Sequence, residues 1–232
     1  MISVAILGYK GFLGSAINKV FSKDKKINLL RIDRKKFENI EDNSIKCNFV
    51  INCSMPSKRF WAENNPELDF IETVKKTKRI ISKFPFSKLI HISSISARTQ
   101  THLIYGKNKK KAEDLINLKK NLVFRLGPLY GDNLSKGVII DILKGNKVFV
   151  SKDSKYAFTH IDWVAQIIKN NLNMKGLVEV GANGFIEVGN LARILNSNSS
   201  FEGERDDQTF KKIFSDTPDA IEVIEYAKNI KI

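Results

Sequence analysis

The sequence predicts an α/β fold, a doubly wound parallel sheet with helices on both faces and a small C-terminal lobe. Three observations predict it. Apolar runs of strand length alternate with helical patterns over residues 1–126, the mark of right-handed βαβ units. The first run passes straight into a turn, Gly8-Tyr9-Lys10-Gly11-Phe12-Leu13-Gly14, that opens a helix. After about Gly127 the pattern loosens, with no internal repeat and no linker rich in Pro, Gly or Ser. One domain over 1–232 is therefore expected, with about 127–232 contributing the lobe.

A strand is expected over 4–7, and the glycine turn then leads into a helix over about 11–21. A second strand is expected over 28–32. A third, over 49–53, is short and apolar on both faces, as a buried parallel strand should be. Pro66 begins a long amphipathic helix to Phe84, because proline in the first helical turn forfeits no needed hydrogen bond. A strand over 89–92 leads to a helix over 105–118 and a strand over 122–126. In the lobe the pattern gives a helix over 137–143, short strands over 147–150 and 157–161, a helix over 162–172 and a strand over 177–180. Helices over 188–195 and 218–228 complete the order, with 196–203 as a loop.

The composition, 42% hydrophobic and 28% charged, is that of a globular protein and excludes disorder. Apolar stretches such as 138–143 and 177–181, each broken by one carboxylate, are too short to cross a bilayer, so no membrane is expected. The N-terminus carries no basic leader and reads as a strand, not a signal peptide. Cys47 and Cys53 fall on the same side of an apolar stretch and read as two buried thiols in a reducing compartment. A cytoplasmic protein is expected, without a metal. The net charge of +14 raises the question of nucleic acid. The lysines are scattered and do not form a stripe interleaved with aromatics, which favours an ordinary solvating role. Attraction of an anionic small molecule is the next reading.

The glycine turn suits a dinucleotide. A pyrophosphate can be held by the free N–H groups and positive dipole end of a helix, provided no side chain blocks its approach. Asp33 ends the second strand, where a carboxylate accepts from a ribose 2′-OH and repels a 2′-phosphate, favouring NAD. Arg34 beside it, and Lys10 in the turn, keep NADP open. Further along, Ser93-Ser94 close one strand, and Tyr105 and Lys109 share a face of the next helix. Tyrosine ionises near about 10, too high for a base near neutrality, and an adjacent ammonium lowers it. Ser94 can hydrogen-bond the same substrate oxygen.

These features together resemble the extended short-chain dehydrogenase/reductase family, also called the NAD-dependent epimerase/dehydratase family. The similarity continues in Val50-Ile51-Asn52-Cys53-Ser54, in Phe124 to Gly131 and in Phe158 to Ala165. The resemblance implies a Rossmann-type fold and a hydride shuttle at the nicotinamide. Tyr105 would give or take the hydroxyl proton, Lys109 would bind the nicotinamide ribose, and Ser94 would polarise the carbonyl. It places Gly8, Lys10, Gly11, Phe12, Leu13, Gly14, Asp33, Arg34, Cys53, Ser54, Met55, Ser93, Tyr105, Lys109, Leu126, Gly127, Pro128 and Leu129 along the cofactor. The substrate implied is a sugar, chiefly a nucleotide sugar, and a homodimer could form through the Pro66 and Tyr105 helices. The chain departs from the family in its short length, in Ile95-Ser96 where dehydratases carry an acidic pair, and in Thr73 where many members have asparagine. Reduction or epimerisation remains, and the compact build is similar to the dTDP-4-dehydrorhamnose reductase branch.

Lys58, Arg59 and Trp61 follow the third strand, and Arg98 and His102 precede Tyr105, so all five could reach a substrate, although packing of the lobe suits Trp61 equally well. His160 reads as a cap of the following helix rather than a base, and Arg205 carries only its charge. The competing reading is a non-catalytic NAD(P)-binding or RNA-binding scaffold that kept the fold.

Overall fold

The structure, a computed structural model, describes residues 1–230 apart from Asn43 and Phe86. In chain order the elements begin with β1 (Ile2–Leu7), α1 (Phe12–Ser22), β2 (Ile27–Ile32), α2 (Arg34–Glu38) and β3 (Phe49–Asn52). Helices α3 (Arg59–Asn64), α4 (Pro66–Phe70) and α5 (Lys76–Lys83) follow, the last two joined by a π turn over Ile71–Lys75. Next come β4 (Lys88–Ser94), α6 (Ser96–Thr99), α7 (Ile104–Asp114), β5 (Leu122–Leu126), β6 (Leu129–Tyr130), α8 (Val138–Leu143), β7 (Lys155–Tyr156) and β8 (Thr159–His160). The chain ends with α9 (Ile161–Asn170), β9 (Gly176–Val180), β10 (Ile186–Glu187), α10 (Val188–Ile194), a 3-10 turn (Ala220–Glu222) and α11 (Val223–Asn229).

Two compact units emerge, Met1–Arg125 with Val164–Val178, and Leu126–Trp163 with Glu179–Ile232. The segment Val164–Val178, within the stretch expected to form the lobe, thus clusters with the first unit. Among the described residues the first unit is built on a sheet ordered β2-β1-β3-β4-β5-β9. Strands β1, β2, β3 and β4 pair in parallel, with Leu7 beside Ile32 and Asn52, and Asn52 beside His91. Period-two alternation sends Leu7, Val50 and Leu89 to one face, where they pack with Phe37, Ile80 and Ile116. Ile6, Ile51 and Ile90 point the other way and are equally buried. The chain moves from β1 outward to β2 and then back across to β3, so the strand order reverses between β1 and β3. In an open α/β sheet that reversal leaves a crevice beyond the carboxyl ends of the two strands.

The second unit carries two small ladders, β6 with β8 in parallel and β7 with β10 antiparallel. Its core includes Tyr130, Ile142, Tyr156, Val188, Leu191 and Val223. A separate nest of small residues, Ala157, Ala182 and Ala220, surrounds the Phe210 ring. Gly127 and Gly181 lie beneath the same ring; a Cβ at Gly181 would come within 2.0 Å of it.

The structure differs from the sequence expectations in several places. Helix α7 stops at Asp114, because the Asn117 side chain captures the Lys119 N–H and bends the chain. The strand expected over 147–150 is a single bridge from Val148 to Phe201, and the one over 157–161 shrinks to β8, preceded by β7. The last helix begins later, at a 3-10 turn capped by Asp219 and Glu222 in a reciprocal capping box. Cys47 and Cys53 are free and half-buried, where full burial was expected. No helix among the described residues is long and apolar enough to cross a membrane.

Candidate active site

The crevice between β1 and β3 begins at Gly8. Its φ of +79° places it in the left-handed region, and a Cβ there would lie 2.8 Å from both the Cys53 carbonyl oxygen and the Ser54 Cα. Only glycine lets the first turn touch the exit of β3. The Gly8 carbonyl accepts from the Gly11 N–H at 2.9 Å, and a Cβ at Gly14 would fall 2.1 Å from the same oxygen. Gly11 is the N-cap of α1 and offers no side chain to its first amides. Phe12 and Leu13 therefore open the helix with backbone N–H groups unclaimed by any cap, the arrangement a diphosphate requires.

Asp33 stands at the end of β2, as expected, and also caps α2 by accepting from the Lys36 N–H at 2.9 Å. That bond, with Lys10 Nζ at 3.6 Å, holds its carboxyl below the usual range. Arg34 turns away to Glu72, 3.0 Å, and Glu72 also receives Lys76. Lys76 in turn donates to the Ser54 carbonyl at 3.3 Å. Met55 lies against the same helix, its sulfur 3.8 Å from the Thr77 hydroxyl, which itself donates to the Thr73 carbonyl at 2.7 Å.

Tyr105 and Lys109 lie in the first half of α7, both nearly inaccessible at 7% and 3% exposure. The lysine Nζ sits 5.1 Å from the centroid of the phenol ring and donates to the Pro56 carbonyl at 2.8 Å. Residues 53–56 thus touch Gly8 at one end and Lys109 at the other. Burial pushes the Tyr105 phenol up, while Arg59 and a hydrogen bond with the Ser94 side chain pull it down. Burial lowers the Lys109 ammonium to about 8, against Asp69 and Glu113, which raise it. A glycine matters here too: at Gly106 a Cβ would come 2.1 Å from the Gln100 carbonyl oxygen, so α6 and α7 can approach only at glycine.

Other expected residues fall less directly. The Ser93 hydroxyl donates to Glu113 at 2.6 Å, and Glu113 is gripped by Arg125 from β5. Ser93 therefore supports the strand end through a buried ion pair. Arg59 donates to Gln100 at 3.0 Å, Trp61 is half-buried, and Lys58, Arg98 and His102 are exposed. Leu126, Gly127, Pro128 and Leu129 belong to the second unit. There Gly127 lies under Phe210, and the Pro128 carbonyl accepts from Thr159 at 3.0 Å. His160 caps α9, its Nδ1 accepting from the Asp162 N–H at 3.2 Å, and Arg205 pairs with Asp207.

Sequence reasoning missed the buried polar contacts that lie behind these residues. Asn52 Nδ2 lies 3.3 Å from His91 Nδ1, while its Oδ1 accepts from the Ser54 N–H and hydroxyl. His91 Nδ1 is therefore the acceptor, and Nε2 carries the proton. Burial, and Lys109 nearby, hold the imidazole down to about 3. Asp69 and Thr73, on the Pro66 helix, are fully buried. The available signal was their spacing: Asp69, Thr73 and Thr77 interrupt the inward apolar stripe of that helix with polar groups.

The fold so defined is the Rossmann-type doubly wound α/β fold. No protein-family model and no curated protein sequence matches the chain. Solved structures do. A dTDP-4-dehydrorhamnose reductase from Bacillus anthracis, in complex with NADP, superposes with a TM-score of 0.77 at 16% identity, over 99% of this chain and 100% of that one. A dTDP-4-dehydrorhamnose reductase from Yersinia enterocolitica gives 0.77 at 17% identity, over 98% and 99%. A UDP-N-acetylglucosamine 4-epimerase from Methanobrevibacter ruminantium gives 0.74 at 15% identity, over 98% and 96%.

Proposed function

We propose that the protein is an NAD(P)-dependent oxidoreductase or epimerase acting on a sugar, most specifically a nucleotide sugar. The observation that carries this reading is the continuity of residues 53–56, whose backbone meets the glycine turn at Gly8 and the Lys109 ammonium at Pro56. A dinucleotide laid from the α1 N-terminus across the exit of β3 would bring its ribose to Lys109. The residues present fit that group: Gly8 and Gly14 let the turn close on the exit of β3 and on itself, and Gly11 leaves the first amides of α1 without a side-chain cap.

When bound, the nicotinamide supplies or accepts hydride. This chain supplies the proton. Tyr105, whose burial favours the neutral phenol, is suited to donate to a carbonyl oxygen during reduction, with the Ser94 hydroxyl bonded to the same site. The Lys109 ammonium stabilises the phenolate that remains. Asp33, exposed enough to receive a ribose hydroxyl and already kept ionised, supports NAD; NADP, bound to the structural relative from Bacillus anthracis, is the alternative that titration decides.

The test is fluorescence titration with NADH and NADPH, followed by turnover of dTDP- and UDP-linked 4-keto sugars. Tyr105→Phe should bind cofactor as the wild type does and lose turnover by roughly 10²- to 10⁴-fold, the scale of general acid catalysis. Retention of RNA with steep salt dependence, and indifference to both cofactors, would favour the scaffold instead.

A further inference from the structure

The Asp69 carboxylate is a charge the foregoing chemistry leaves unused. It sits on α4 with no exposed surface, in a place where an uncompensated carboxylate is costly. One oxygen, Oδ2, receives Asn108 Nδ2 at 2.9 Å; the other, Oδ1, is buried without a hydrogen-bond partner. Asn108 lies between Tyr105 and Lys109 in sequence. Residues 105, 108, 109 and 112 form one face of α7, and all four are buried. Asp69 is therefore docked on the face that carries the phenol and the ammonium.

We infer that Asp69 is the buried counter-ion of Lys109, a positioning residue that keeps the lysine charged inside the protein. The inference rests on the proposed function only in giving Lys109 a task. Two features support it. Lys109 is almost wholly enclosed, and its direct hydrogen-bond partner at Pro56 is a neutral carbonyl, so its charge needs a carboxylate nearby. The carboxylates that raise it are Asp69 first and Glu113 second, and Glu113 is already committed to Arg125. From the other elements packed on α7, His91 of β4 is held neutral. Arg59 of α3 acts on Tyr105, and Glu63 of α3 accepts from the Tyr105 N–H at 3.3 Å. Glu72 of the π turn is shared by Arg34 and Lys76, Lys75 of that turn is exposed, and Arg98 of α6 is exposed. Glu67 of α4 is exposed as well, which leaves Asp69 as the buried carboxylate on this face of α7 that is not already paired with an arginine.

Asp69→Asn deletes the charge and keeps an acceptor for Asn108. In protein labelled with ¹³C at lysine Cε, with Lys109→Arg to assign the signal, wild-type Lys109 should titrate near about 8. In Asp69→Asn the midpoint should fall by about one unit or more, the shift an opposite charge at close range imparts. The sign is fixed: losing a neighbouring anion disfavours the ammonium. Should Asp69→Asn fail to fold, Asp69→Ser gives the same measurement. A midpoint that stays within about 0.3 units of wild type overturns the inference. NADPH binding followed from pH 6.5 to 9 separates the two readings. A shifted Lys109 midpoint with pH-independent NADPH binding upholds the counter-ion and removes the cofactor task from Lys109.

Discussion

At the scale of single residues, two buried groups carry testable energetics. His91 takes up a proton near about 6.5 in an unfolded chain and only near about 3 in the fold. Between these values the unfolded state holds the extra proton. Stability therefore falls as pH drops below about 6.5, and the share due to His91 is lost by the time pH reaches about 3. Acid unfolding of His91→Gln should show a slope between those limits shallower by up to about 1.4 kcal/mol per pH unit, the value of one proton; an unchanged slope would show His91 already charged in the fold. Glu113 makes a different case. Its carboxylate accepts from the Ser93 hydroxyl and from Arg125, with both side chains of the ion pair buried. Glu113→Gln leaves the guanidinium without its counter-charge and should cost about 3 kcal/mol or more in urea unfolding.

At the scale of elements, the packing of α7 decides how Tyr105 is presented. Ser96 and Gln100 carbonyls approach Gly106 so closely that a methyl group would lie 2.5 and 2.1 Å from them. Gly106→Ala should push α6 from α7, destabilise by about 1–3 kcal/mol and lower turnover. Lys107→Ala, on the exposed face of the same helix, should change neither. Much of this architecture was legible. The strand ends that carry Gly8 and Ser94 and the helix that carries Tyr105 and Lys109 follow from periodicity and glycine placement, which are local properties. What stayed hidden was of two kinds. Helix α2 was missed because Asp33, read only as a ligand for ribose, is equally an N-cap for the short run Arg34–Glu38. The partners of the site, Asp69, Asn108, His91 and Glu113, were missed because each meets its neighbour across 12 to 39 residues of sequence. No spacing rule reaches that far.

At the scale of the whole molecule, the surplus of positive charge chiefly solvates the surface, and would also attract an anionic small molecule. A field of that sign accelerates encounter at low ionic strength and fades as salt screens it. The second unit shows another economy. Residues 202–218 contain no helix or strand, yet Phe210 seats itself over Gly127 and Gly181 among three alanines. Phe210→Ala should cost about 3 kcal/mol and speed tryptic cleavage after the exposed Lys211 and Lys212; equal cleavage rates would mean that other contacts anchor the coil.

That aromatic plug has a consequence for how Gly127 must be interrogated. The position has been kept free of a side chain by a neighbour in its own unit, whose ring edge already occupies the space a methyl would need. A substitution at Gly127 would first unseat the ring and loosen seventeen or so residues of irregular chain. Its earliest signature would be a protease nick, well ahead of any change in how the protein handles a nucleotide.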